Sequence, residues 1–160
     1  MLKSKHLIGL EHFPISDLNK IIDTSFKFKE ILNTESRKSI LLKGKTIVNM
    51  FFENSTRTKI SFSLAEKRLG ADSINFSAST SSVKKGETLK DTVQNIESMK
   101  IDGAVMRHSH PGSALKLTEY IDGAVINAGD GSHEHPTQAI LDMVTLKEKF
   151  GKIKGLKIGI

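Results

Sequence analysis

Short runs rich in β-branched and aromatic residues alternate along this chain with longer stretches whose apolar residues recur at helical spacing. Residues 46–52 (TIVNMFF) read as a strand buried on both faces. Ile60, Leu64, Ala65 and Leu69 follow at helical spacing, with Gly70 as the stop. The pattern then repeats: a strand near 73–76, a helix with Leu89, Val93 and Ile96, a strand over 102–106, a helix with Ala114, Leu117 and Ile121, and a strand over 124–127. Strands separated by helices imply right-handed crossovers between parallel neighbours. The expected fold class is α/β, a doubly wound, mostly parallel sheet of about four strands flanked by helices. A helix capped by Ser16 and carrying Leu18, Ile21, Ile22, Phe28, Ile31 and Leu32 precedes this series. Another follows it, with Pro136 as its first residue, Ile140, Leu141 and Val144 on its apolar face, and Gly151 at its end. Residues 155–160 read as a strand with nothing to pair it.

The 160 residues are 38% hydrophobic and 26% charged, which is the balance of a globular chain and excludes disorder. No cysteine is present, so disulfides, thiolate-bound zinc and thiol catalysis fall away, and a reducing, intracellular home fits. The apolar runs are short, such as Ile40, Leu41 and Leu42, against the roughly 20 residues that cross a bilayer. Nor is an export signal expected, because Gly9 and Glu11 interrupt the start before an apolar core forms. Lys and Arg number 24 against 18 Asp and Glu, a net charge of +6. Nucleic acid is not the expected partner, since aromatics make up only 6% and the lysines are not gathered with them.

Ligands of open parallel sheets bind beyond the carboxyl ends of the strands, so chemistry is sought at the junctions. Residues 53–58 (ENSTRT) put Ser55, Thr56, Thr58 and Arg57 on the opening turn of a helix. Free N–H groups and the helix dipole favour an anion there, hydroxyls add donors and arginine offers a fork to phosphate. The plainer alternative is that Ser55 or Thr56 merely caps the helix. Residues 77–88 (SASTSSVKKGET) form a long hydroxyl-rich loop ending in two lysines, a binding loop or a linker by composition. Arg107 ends the third strand. After the fourth, Gly129 and Gly131 allow a tight path, His135 stands at the next helix and Gln138 lies one turn on. His108, His110, His133 and His135 match none of the usual zinc spacings. There is no P-loop, dinucleotide fingerprint or nucleophile elbow.

The runs 51–58 (FFENSTRT), 81–88 (SSVKKGET), 105–108 (VMRH), 127–131 (NAGDG) and 135–138 (HPTQ), in this order and spacing, resemble the aspartate carbamoyltransferase family. The resemblance covers the whole chain but only the first half of a family member. It implies a carbamoyl phosphate-binding domain over residues 1–135, a connecting helix over 136–151, and the start of a truncated aspartate-binding domain over 152–160. The sister ornithine enzymes share the hydroxyl and arginine turn; they typically have Cys where this chain has Thr137, and they lack the lysine before Gly86.

By the same resemblance Ser55, Thr56, Arg57 and Thr58 would bind the phosphate of carbamoyl phosphate. Arg107 would reach both phosphate and carbonyl oxygen, Thr58 and His135 would join it in polarising that carbonyl, and Gln138 would accept from the carbamoyl NH2. Ser81 and Lys85 would enter a neighbouring subunit's site, because members form homotrimers with shared active sites, in some cases with regulatory subunits. The resemblance further implies carbamoyl transfer to L-aspartate on the way to pyrimidines, in the cytoplasm, without metal or organic cofactor. The aspartate contacts belong to the second domain, so the 160 residues alone are expected to be inactive. A non-catalytic module that holds a phosphorylated small molecule is the alternative.

Overall fold

A computed structural model describes residues 2–77 and 88–159. Its elements run α1 (Ile15–Leu32), β1 (Thr46–Phe51), α2 (Thr56–Leu69), β2 (Asp72–Ser77), α3 (Leu89–Ser98), β3 (Gly103–His108), α4 (Ser113–Leu117), β4 (Ala124–Asp130) and α5 (Pro136–Phe150). The four strands form one parallel sheet in the order β2-β1-β3-β4. The doubly wound α/β reading therefore holds.

Three local expectations are corrected. The first helix begins at Ile15, with Pro14 rather than Ser16 at its cap position and no side-chain cap bond. A proline there has a fixed φ suited to helix entry and needs no hydroxyl. The helix with Ala114 and Leu117 ends at Leu117, so Ile121 lies beyond it, although still buried. Residues 156–159 form no strand, since a strand needs a partner ladder and none of the sheet's edges reaches them.

Alternate residues of each strand serve opposite faces. Val48 and Met50 on β1, Ala104 and Met106 on β3, and Val125 on β4 pack with Val93, Ile96, Ala114 and Leu117 into the larger core. Phe51, Val105 and Ala128 form a smaller cluster on the other face, against which Phe62 of α2 packs. One buried residue of β1 is polar. Asn49 donates its Nδ2 to Glu66 Oε2 of α2 at 2.8 Å, and the Ser73 hydroxyl of β2 donates to the same oxygen. Burial pushes the Glu66 carboxyl above its ordinary range, against the two hydrogen bonds. The network ties α2 to both strands beneath it.

The chain leaves β1 toward β2 on one side and then crosses back to β3 on the other, so the winding reverses between β1 and β3. A crevice opens at the carboxyl ends of two such strands. No helix among the described residues is long and apolar enough to cross a membrane.

Candidate active site

At the end of β1 the backbone turns directly into α2. Ser55 occupies the cap position but makes no side-chain cap bond. Its hydroxyl donates instead to Thr58 Oγ1 at 2.9 Å. The first intrahelical bond runs from Lys59 N–H to Ser55 O at 3.0 Å, so the amides of 56–58 have no carbonyl partner within the helix. Ser55 thus holds the cap position without capping through its hydroxyl, and the turn keeps the donor set of an anion cradle. Thr56 and Arg57 are exposed on that turn, and Arg57 has no ion-pair partner among the described residues.

Arg107 pairs in register with Phe51 across the β1–β3 ladder, which sets it beside the start of the cradle. Its Nη1 donates to Ala128 O at 2.9 Å. Its Nε lies 2.6 Å from Glu53 Oε1, an ion pair at contact distance in which the N–H is not aimed well enough to count as a hydrogen bond. The guanidinium passes over Gly129, where φ is +113° and a Cβ would sit 2.6 Å from Arg107 Nη1 and 3.3 Å from His135 Cδ2. Only a residue without a side chain lets arginine and histidine close on this point.

The β4–α5 loop is held by Asn127 and Asp130, both fully buried. Asn127 Nδ2 donates to Asp130 Oδ1 at 2.8 Å, and Asn127 Oδ1 accepts from Gly129 N–H at 2.9 Å. Asp130 also accepts from Gly112 N–H at 2.9 Å and lies 3.0 Å from His133 Nδ1. Burial would raise the Asp130 pKa, but these bonds together outweigh it and hold the carboxyl below its usual value. His135 follows, with Nδ1 3.2 Å from Thr137 Oγ1. Burial, and then the charge of Arg107, push its pKa below the ordinary 6.5, so its imidazole is neutral at pH 7. Gln138 Nε2 donates to Asp142 Oδ1 at 3.0 Å, which leaves Oε1 free of that bond as an acceptor.

Thr58, His135 and Gln138 line one cleft of about 310 Å³ between α2 and α5, with Phe62 and Leu141 as its apolar walls. Arg107 and His135 both lie close to Gly129, Ser55 is bonded to Thr58, and Thr56 and Arg57 share the first turn of α2 with Thr58. Ser81 and Lys85 lie outside the described residues. Of the remaining histidines, His108 accepts from His110 N–H at Nδ1 (2.9 Å) and packs between Phe52 and His110. Among the described residues no three side chains form a metal-binding group.

Sequence reasoning assigned no role to Glu53, Asn127, Asp130 or Glu134. A single carboxylate between a strand and a hydroxyl-rich turn was a usable signal for Glu53. An aspartate between two glycines was one for Asp130.

A family model described as the aspartate/ornithine carbamoyltransferase carbamoyl-P binding domain matches residues 5–148. The aspartate carbamoyltransferase catalytic subunits of Christiangramia forsetii and Flavobacterium johnsoniae are each 54% identical over 159 residues, 99% of this chain and 51% and 52% of those proteins. The chain thus spans about half the length of the curated relatives it matches. Among solved structures, aspartate transcarbamoylase from Trypanosoma cruzi in complex with aspartate and phosphate has a TM-score of 0.89 at 35% identity, covering 97% of this chain and 50% of that one. The catalytic subunit of the M. jannaschii enzyme gives 0.87 at 42%, covering 96% and 50%.

Proposed function

The chain belongs to the aspartate/ornithine carbamoyltransferase family, and from that premise we propose that its cleft holds carbamoyl phosphate and that the complete protein transfers the carbamoyl group to the amine of L-aspartate. The observation that carries this reading is the convergence of Thr58, His135 and Gln138 on one cleft, with Arg107 and His135 both approaching Gly129 beside it. The T. cruzi relative has been solved with carbamoyl phosphate and aspartate together, which supports the choice of ligands. The aspartate subunits among the relatives favour aspartate over ornithine as acceptor.

The phosphate sits on the first turn of α2, where amides, the hydroxyls of Ser55, Thr56 and Thr58, the Arg57 fork and the Arg107 guanidinium share its charge. Thr58, Arg107 and His135 donate to the carbonyl oxygen, while Gln138 Oε1 accepts from the carbamoyl NH2. The amine attacks the carbonyl carbon and negative charge grows on that oxygen. Donors already aimed there stabilise it, and losing one costs about 3 to 4 kcal/mol in the barrier. A neutral His135 donates without giving up a proton. The carbon–oxygen bond to phosphate then breaks, and phosphate leaves with the electron pair and takes up the proton that the amine nitrogen loses.

By family likeness the complete protein is a cytoplasmic homotrimer in pyrimidine synthesis, with Ser81 and Lys85 acting across a subunit boundary, and some family members add regulatory subunits. Residues 136–151 connect the carbamoyl phosphate domain to the aspartate domain. The 160-residue chain turns over aspartate negligibly.

Calorimetry of inorganic phosphate at low salt tests the cradle. Arg57→Ala should weaken binding by about 10- to 100-fold, the loss of a charged hydrogen-bond donor; unchanged affinity overturns the assignment. In the complete protein, co-assembling Lys85→Ala with Arg57→Ala chains should yield a minority of active hybrid sites. Inactive hybrids from chains that demonstrably exchange would refute the shared site.

A further inference from the structure

We propose that residues 7–10 and the Glu134 side chain form a strap that positions His135, with Glu134 as a positioning residue; the claim rests on reading the cleft as the carbamoyl phosphate site. The segment before α1 meets β4 through a single parallel bridge between Leu7 and Ile126. Leu7 N–H donates to Val125 O at 2.9 Å, and Asn127 N–H donates to Leu7 O at 2.8 Å. Asn127 Nδ2 adds a bond to Ile8 O at 2.8 Å. The N-terminal segment is therefore fastened to the same buried asparagine that organises the β4–α5 loop.

Two residues further on, the strap reaches over the loop itself. Leu10 N–H donates to Glu134 Oε2 at 2.7 Å, a contact between residues 124 apart in sequence. A Cβ on Gly9 would stand 2.8 Å from Glu134 Oε1 and 3.1 Å from its carboxyl carbon, so the carboxylate lies flat against the Gly9 backbone. The Glu134 carbonyl is held as well, accepting from Asp130 N–H at 3.3 Å, with Asn127 Nδ2 3.2 Å away. His135 is thus bracketed by a residue fixed through both backbone and side chain and by the buried Pro136, whose φ is set by its ring. Its ring lies close to Gly129, with Cδ2 3.3 Å from where a Cβ would stand. A group that must present one N–H to a carbonyl oxygen gains from having its backbone set in advance, since small misplacements of such donors are costly.

The test uses the 160-residue chain with Glu134→Ala, Glu134→Gln, Gly9→Ala and the Gly9→Ala/Glu134→Ala double variant. Two readouts are followed: the His135 imidazole resonances without ligand, and the affinities for phosphonoacetamide, a carbamoyl phosphate analogue, and for inorganic phosphate. Glu134→Ala and Gly9→Ala should each shift the His135 resonances and weaken phosphonoacetamide by up to about tenfold more than phosphate, because His135 faces the carbonyl and not the phosphate. Glu134→Gln still offers Leu10 an oxygen and should behave as the parent. The double variant should be no worse than Glu134→Ala, since the added methyl then meets no carboxylate. Gly9→Ala presses only on the end of a flexible side chain and decides the matter even if Glu134→Ala does not fold. Unmoved His135 resonances, equal weakening of both ligands, a glutamine variant that fails like alanine, or additive damage in the double variant overturns the strap. Should the parent bind neither ligand, the functional reading fails, and the resonances alone decide the positioning claim.

Discussion

Gly129→Ala adds one methyl group at the point where arginine and histidine meet. The backbone there has φ of +113°, so any L side chain costs about 1–3 kcal/mol in strain alone. The methyl would stand 2.6 Å from Arg107 Nη1, whereas ordinary contact begins at 3.4 Å, so the guanidinium must retreat by 3.4 − 2.6 = 0.8 Å. That retreat strains or breaks its 2.9 Å bond to Ala128 O and draws a charged donor away from the cleft. Hydrogen bonds to charged groups are worth about 1.5–3 kcal/mol, so phosphate affinity should fall roughly 10- to 100-fold. Gly112→Ala separates the two effects, because Gly112 has φ of +80° but nothing within 4 Å of the added carbon. Thermal unfolding and phosphate calorimetry on both variants give the comparison. Both should lose stability, and only Gly129→Ala should lose affinity. If folded Gly129→Ala binds phosphate like the parent, Arg107 does not serve the anion from this position, and the reasoning fails.

Two further outcomes follow from the charges. Glu53→Gln removes the carboxylate paired with Arg107 Nε, so phosphate should bind several-fold more tightly at low salt and less so at high salt; weaker or unchanged binding refutes the competition. His135 and His108 are both held below the ordinary 6.5, chiefly by burial, then by Arg107 for the first and His110 for the second. The unfolded chain therefore binds more protons than the folded one just below 6.5, and stability rises with pH in that window. It is complete above 6.5 and lost as pH falls through the lowered folded values. Urea midpoints from about pH 5 to pH 8 should show this, with a shallower slope in His135→Gln, and a flat parent profile would contradict it.

Much of the architecture was legible because its signals are local. The run at 46–52 announced β1, and only its last residue, Phe52, falls outside the strand. Gly70 ends α2 in the left-handed conformation, and Pro136 opens α5, as their intrinsic backbone preferences require. The same locality misled at residues 155–160, where composition suited a strand but residues 156–159 meet no ladder among the described residues. It also hid the pairing of Leu7 with Ile126, because a single bridge leaves no periodic trace.

By itself the sequence determined the sequence of elements, their parallel winding, and the chemical character of each strand end: hydroxyls with Arg57 after β1, Arg107 after β3, and glycines leading to His135 after β4. These follow from periodicity and turn preferences acting within a turn or two of chain. Only the tertiary structure decided that Arg107 and His135 close over Gly129, that Glu53 pairs with Arg107, and that Leu10 holds Glu134. Such contacts depend on strand register and on the packing of α2 and α5 over the sheet. They arise between residues far apart in the chain, where no local preference reaches.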